Sequence, residues 1–265
     1  MSTPQPSQAA ALARLYDLDL AVDPDDLDLY RALADRTGGP IIELCAGSGR
    51  LLVPLAEAGH EITGLDVDPT MLDRARARSA AAGPAVAQRV RLVEGDLFST
   101  AIPGAGTFRL GILGLNSLLL LGGPRRQRAA IAILAGLLAP GGVAVVDTWL
   151  PQGEDLGRFD GRLGLEWLRQ DPETGRDVTK TAAAWYDSAT RAVTLTTIFD
   201  EGLPGEAPVR WTREDALHLV AAEELRLHAE DAGLEVEVVA GDYDLSPLQP
   251  DDGRAILVAR RPSGP

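Results

Sequence analysis

The sequence predicts an α/β protein whose parallel sheet is covered on both faces by helices and interrupted, after the fifth strand, by an antiparallel β insertion. Three observations lead there. Between Pro40 and Val146 short apolar runs alternate with helix-like stretches, the pattern of strands buried on both faces. After Asp147 the texture changes to β-rich segments separated by turn-rich runs. Near Ala221 a helix-then-strand pattern resumes, so the β-rich part reads as an insertion.

Residues 9–16 and 27–34 read as two short helices, separated by the acidic, proline-containing segment 23–26 and expected to cap the sheet. The strand runs are 41–45, 61–66, 90–94, 109–113 and 142–147. Residues 50–58 follow a glycine turn and stop at Gly59, while 69–82 open on Pro69, a residue suited to the first helical position. In the insertion, 166–169, 178–186 and 192–199 are expected strands. A helix over 221–232, stopped by Gly233, precedes strands 234–239 and 254–259. The expected organisation is a helical cap over 1–39, a ligand-binding α/β domain over 40–151 and 213–265, and an insertion over 152–212 that serves as substrate lid or dimer contact.

A chain of 265 residues with 45% hydrophobic content can bury a large core. Its formal net charge of -14 repels polyanions, and the densest basic cluster, Arg125, Arg126 and Arg128, reads as a helix start, so no nucleic-acid partner is expected. Cys45 is the only cysteine, which rules out an intrachain disulfide and fits a cytoplasmic location. Residues 1–20 lack a basic start followed by an apolar run, and no stretch approaches about 18 apolar residues, so neither export nor membrane insertion is expected.

The segment Glu43-Leu44-Cys45-Ala46-Gly47-Ser48-Gly49-Arg50 lies between the first strand and the first helix of the α/β block. Side chains at Gly47 and Gly49 would occupy the space of a nucleoside bound against that turn. Asp66 ends the second strand, where a carboxylate can accept both ribose hydroxyls, while Asp68, just before Pro69, suits a helix cap. Asp96, within Gly95-Asp96-Leu97, puts a third carboxylate on the same edge of the sheet. A dinucleotide oxidoreductase would need a small residue at position 52, and Leu52 stands there.

Together, Glu43 to Gly49, Asp66 and Gly95-Asp96-Leu97 resemble the class I S-adenosylmethionine-dependent methyltransferases, whose fold is a Rossmann-like seven-stranded sheet. The resemblance implies S-adenosylmethionine as cofactor and S-adenosylhomocysteine as product. It assigns Glu43, Cys45, Gly47 and Gly49 to the methionine portion, Asp66 to the ribose, Asp96 with Leu97 to the adenine, and Val67 and Met71 to the adenine ring. Tyr16-Asp17 resembles an N-terminal Tyr-Asp of small-molecule members, with Tyr16 near the methionine end. The insertion, Gly241-Asp242-Tyr243-Asp244 and Arg254 resemble enzymes that methylate glycine-like amines and amino sugars. This chain departs from the pattern in two places: Cys45 replaces the first loop glycine, and Phe108-Arg109 replaces a Phe-Asp.

The expected partner is a small methyl acceptor, and the expected chemistry is in-line transfer to an N or O atom. The sulfonium methyl is already activated, so no metal is required, and His60, His218 and His228 lack metal-ligand spacing. No general base is legible. Asn116, Trp149, Tyr186, Trp211 and Tyr243 are candidate acceptor contacts, chosen because they follow strand ends or lie on insertion strands. The alternatives are a protein that binds the adenosyl cofactor for a regulatory or non-methyl reaction and, further off, a dinucleotide oxidoreductase. A dimer built on the insertion strands is a further expected role for them.

Overall fold

A computed structural model describes residues 7–21 and 25–263. Residues 1–6 of the N-terminal segment, and Asp23 and Pro24 of the acidic linker, lie outside them. The chain divides into two compact units. The larger takes the described part of Pro24–Gln152 with Val220–Pro265, and the smaller the described part of Met1–Asp23 with Gly153–Leu219.

The larger unit is built on a seven-stranded sheet. Its first five strands are β1 (Ile41–Leu44), β2 (Ile62–Asp66), β3 (Val90–Glu94), β4 (Phe108–Leu113) and β5 (Leu138–Trp149). They run parallel in the spatial order β5-β4-β1-β2-β3. Strand β11 (Arg254–Arg260) pairs antiparallel with β5 and with the edge strand β10 (Glu235–Ala240). All four residues of β1 are buried, Glu43 among them, as expected of a strand covered on both faces.

Helices α2 (Leu27–Thr37) and α3 (Leu52–Glu57) place Tyr30, Leu33, Leu52 and Leu55 in one core with Ile41, Ile112 and Val258. A Cβ at Gly64 on β2 would lie 2.7 Å from Leu52, so the close approach of helix and sheet depends on a glycine in the strand. Helix α4 (Pro69–Ala81) starts as its sequence dictates, with Asp68 Oδ1 accepting the Thr70 amide at 2.8 Å. Helices α5 (Pro84–Arg89), α6 (Ser117–Leu120), α7 (Pro124–Leu137) and α9 (Ala222–Asp231) complete the unit.

The smaller unit joins α1 (Gln8–Asp19) and the short α8 (Gly153–Arg158) to an antiparallel sheet of β6 (Gly164–Gln170), β7 (Asp177–Asp187), β8 (Ala192–Gly202) and β9 (Val209–His218), in that order. Asp187 shapes the β7–β8 turn by accepting the Ala189 amide and the Thr190 hydroxyl. Two sequence expectations are corrected here. The insertion does not end at residue 212: β9 continues to His218, fully paired with β8. Its half-buried positions include Arg213 and Asp215 and its exposed ones Thr212 and Ala216, so its alternation carries a weak apolar signal.

The second correction concerns the expected cap over 1–39, which divides. Helix α2 packs in the core of the large sheet. Helix α1 instead buries Leu15 and Leu18 with Val178 and Phe199, flanked by Leu12, Trp167 and Trp211. Arg14, on the same helix, is buried with its guanidinium on both Asp171 and Glu201. The sequence predicts a helix here, but not which sheet it covers. Among the described residues no helix is long and apolar enough to cross a membrane.

Candidate functional site

The site residues of the larger unit gather where β1, β2 and β3 end. The chain leaves β1 through three left-handed residues in five: Cys45 at φ 58°, Gly47 at 55° and Gly49 at 79°. A left-handed cysteine is uncommon, and such backbone persists only where its surroundings hold it. Here Ala46 donates its amide to Leu65 O at 3.0 Å, Gly47 donates to Asp66 Oδ2 at 2.7 Å and Gly49 donates to Ala46 O at 3.1 Å.

Asp66 organises the edge. Besides the Gly47 amide, its carboxylate accepts the Asp68 amide at 2.9 Å through Oδ1, and its backbone carbonyl accepts the Gly95 amide at 2.9 Å. The ends of β1, β2 and β3 are thus tied together by one residue. A carboxylate has about four lone-pair sites, so two backbone donors leave room for two more.

The two loop glycines differ. A Cβ at Gly47 would meet only the flexible Met71 Cε, at 3.3 Å, whereas one at Gly49 would lie 3.1 Å from Ala75 Cβ and 3.3 Å from Ala75 Cα on α4. Gly47 therefore borders open space, and Gly49 is a packing glycine between loop and helix. Val67 stands 68% exposed after β2, a bare apolar side chain beside the carboxylate of Asp66. Asp96 is exposed and caps its own turn by accepting the Phe98 amide at 2.8 Å, while Leu97 is buried.

Two buried ion pairs lie in the same unit, and neither was read from the sequence. Arg50 grips Asp26 through both guanidinium nitrogens at 2.6 Å. Asp147, fully buried near the end of β5, takes Arg254 and, at 3.2 Å, the Tyr243 hydroxyl. Burial raises the Asp147 carboxyl and Arg254 opposes it. Burial, with Asp147 beside it, pushes the Tyr243 phenol up as well. The one signal available was position: Asp147 ends its strand just as Asp66 does.

Burial also pushes the Glu43 carboxyl up to about 8 and the Cys45 thiol up to about 12, so Cys45 is neutral near neutral pH and no nucleophile. Among the acceptor candidates, Asn116, Trp149 and Tyr243 belong to this unit, at or after the ends of β4, β5 and β10. Tyr186 and Trp211 belong to the smaller one, on β7 and β9, as does Tyr16 on α1, the residue expected at the methionine end of the cofactor. Trp211 packs against the α1 core and donates its indole N–H to Glu201 at 2.9 Å.

Residues 41–142 match the family described as "Methyltransferase domain". An uncharacterized protein of Mycobacterium tuberculosis is 36% identical over 118 residues, covering 44% of this chain and 40% of that protein, so the match spans less than half of the relative. Among solved structures, the CcbJ methyltransferase from Streptomyces caelestis superposes with a TM-score of 0.77 at 23% identity, covering 98% of this chain and 100% of that one. The S-adenosylmethionine-bound CalS10 of Micromonospora echinaspora, described as an amino pentose methyltransferase, gives 0.67 at 24%, covering 98% and 99%. Likeness at these identities shows a shared fold.

Proposed function

Since residues 41–142 match the methyltransferase-domain family, we propose that this protein is an S-adenosylmethionine-dependent methyltransferase acting on an N or O atom of a small molecule. The observation that carries the reading is the left-handed loop after β1, held open at Gly47 by the Asp66 carboxylate. A turn of that shape, with an acid at the end of β2 and an exposed Val67 beside it, fits an adenosyl group better than a plain connector.

When bound, the cofactor supplies a methyl group already activated on a sulfonium. The chain's residues bind and orient. The loop backbone at Gly47 admits the methionine portion, with Glu43 and Cys45 beneath it. Asp66 uses its remaining lone pairs for the ribose hydroxyls. Val67 and Met71 cover the adenine ring, and Asp96 with Leu97 meets its edge. Asn116, Trp149 and Tyr243, at or after the ends of β4, β5 and β10, meet the acceptor. Holding the nucleophile in line and excluding water is then the main catalytic task. A small polar amine or hydroxyl acceptor agrees with the description of CalS10.

The test is direct. The protein is titrated calorimetrically with S-adenosylhomocysteine, then incubated with labelled S-adenosylmethionine and a metabolite extract. Binding, release of S-adenosylhomocysteine and a metabolite heavier by one CH2 unit are expected. Absence of binding would refute the assignment, and binding without turnover across amine and hydroxyl acceptors would refute the transfer step.

A further inference from the structure

Side chains that stand opposite one another across antiparallel strands share a face, so the register of the smaller unit's sheet sorts its residues into two sets. Val178 and Phe199 belong to the face that α1 covers, with Trp167 and Trp211 beside them. The opposite face carries Leu165 and Leu168 on β6, Trp185 on β7 and Ile198 on β8. Leu165 and Leu168 are each 69% exposed and Trp185 is 59% exposed, so this face lies bare where the first is packed. Large apolar side chains gathered bare on one surface mark a place of contact.

The rest of the face is small and almost neutral. Thr181, Ala183, Thr194, Thr196, Thr212 and Ala216 fill the positions between and beside the large residues. Between the row of Leu168 and the row of Trp185, its charged side chains are Glu214 and the pair Asp200 and Arg210, which grip each other through two 2.8 Å hydrogen bonds. The chain as a whole has a formal net charge of -14. A face this close to neutral is where two such acidic copies approach with least repulsion, while a basic partner would be drawn elsewhere.

Size and shape point to the same occupant. Four strands about 4.8 Å apart, with about nine residues rising about 3.4 Å each, give a plan of roughly 19 Å by 30 Å, on the order of 600 Å2 per copy. Two copies would cover about 1,200 Å2, where specific interfaces begin. Stacked face to face about a two-fold axis parallel to the strands, β6 of one copy lies over β9 of the other, and β7 over β8. Leu165 then meets Thr212, Trp185 meets Thr194 and Ile198 meets Thr181, a large side chain against a small one each time. We propose that this face is a homodimer interface, on which a second copy of the chain seats the same face of its own sheet in that arrangement.

The full-length protein is followed by sedimentation velocity and light scattering between about 1 and 100 µM. A species of twice 28.0 kDa should dominate by about 10 µM. L165K and W185R each put a charge at an exposed position of the face, and both should run as monomers there with circular dichroism unchanged. L227K, at an exposed leucine of α9, should remain dimeric. The pairing itself is tested with L165K and T212D, each monomeric alone. Mixed in equal amounts they should form dimers, because one contact becomes an ion pair and the other keeps Leu165 against Thr212. Wild type that stays at 28.0 kDa up to about 100 µM would overturn the proposal and leave the face to a different partner. L165K or W185R still dimeric would place the interface elsewhere, and a mixture that fails to pair would refute the arrangement of β6 over β9.

Discussion

Asn116 Oδ1 accepts the backbone amide of Trp149 at 2.6 Å, so a side chain from beyond the end of β4 closes the hydrogen-bonding row of β5. The backbone ladder between these strands stops at Leu113 and Val146. Past that point the chain bends through two left-handed residues, Leu115 at φ 45° and Asn116 at φ 66°, and Asn116 donates its own amide to Asp147 O at 3.1 Å. Asn116→Ala should remove this hydrogen bond, at about 1 to 3 kcal/mol, and add a left-handed alanine at about 1 to 2 kcal/mol. Asn116→Gly should avoid the second cost. Denaturant midpoints for both variants check this, and an alanine variant as stable as wild type would show that the latch contributes nothing.

Asp66 and Asp68, two residues apart, should separate cleanly by experiment. Asp68→Ala removes only a helix cap and should cost about 0.5 to 2 kcal/mol of stability with little effect on cofactor affinity. Asp66→Asn retains one acceptor oxygen but turns an NH2 group toward a backbone donor, either Gly47 or Asp68. Loss of a charge-assisted hydrogen bond, about 1.5 to 3 kcal/mol, predicts affinity for S-adenosylhomocysteine lower by roughly tenfold or more. Calorimetric affinities set beside unfolding curves test both statements, and unchanged affinity in folded Asp66→Asn would remove the ribose assignment.

The two loop glycines should fail differently. Gly47→Val strains a left-handed residue and fills space bordered only by Met71, so the variant should fold and lose cofactor binding. Gly49→Val collides with the Ala75 backbone and should unfold at markedly lower temperature. Sequence alone gives both positions the same expected outcome. Thermal melts and S-adenosylhomocysteine titrations of the pair distinguish them, and equal melting temperatures would contradict the packing role of Gly49.

Glu43 also sets a pH dependence of stability. Its carboxyl is raised in the folded chain from the ordinary 4.5 to about 8, so the folded state binds a proton that the unfolded state releases. The associated stability is fully present below pH 4.5 and is lost as pH rises through about 8, at up to about 1.4 kcal/mol per unit. E43Q carries no such proton. The difference in unfolding free energy between E43Q and wild type should therefore grow in favour of E43Q from about pH 5 to 8 and then level off. A constant difference across that range would mean that Glu43 is ionised in the free protein.

The five parallel strands were legible because two-sided burial leaves apolar runs such as Gly142-Val143-Ala144-Val145-Val146, and glycines or Pro69 punctuate the helices between them. Pairings across long separations were not. Arg50 and Asp26 are 24 residues apart and Arg254 and Asp147 are 107 apart, so no local pattern joins them. Arg14 is buried between Asp171 and Glu201, 157 and 187 residues away, a pairing with no local mark in the sequence. Leu52 counted against a third loop glycine, and the space such a glycine would have cleared is instead opened by Gly64 across the contact.

The last prediction concerns the division of labour between the two units: the larger suffices to bind the cofactor, and the smaller is required for methyl transfer. Replacing residues 152–210 alone would be a poor test. It would cut β9 near its first residues and strand α1, whose Leu15 and Leu18 lose Val178 and Phe199 and whose Arg14 loses both of its carboxylates. A buried charge deprived of its partners costs about 3 to 5 kcal/mol, so α1 would expose its apolar face and invite aggregation. The clean excision removes residues 1–23 together with 153–219 and joins Gln152 to Val220 through a short Gly-Ser linker. What remains keeps the whole of the large core and the β1 loop, so S-adenosylhomocysteine affinity should stay within about tenfold of wild type, about 1.4 kcal/mol, while methyl transfer is lost. Affinity by calorimetry and turnover with labelled cofactor are read on the same preparation. If the shortened protein still methylates its acceptor at an undiminished rate, acceptor recognition belongs to the larger unit, and Asn116, Trp149 and Tyr243 become the residues to mutate.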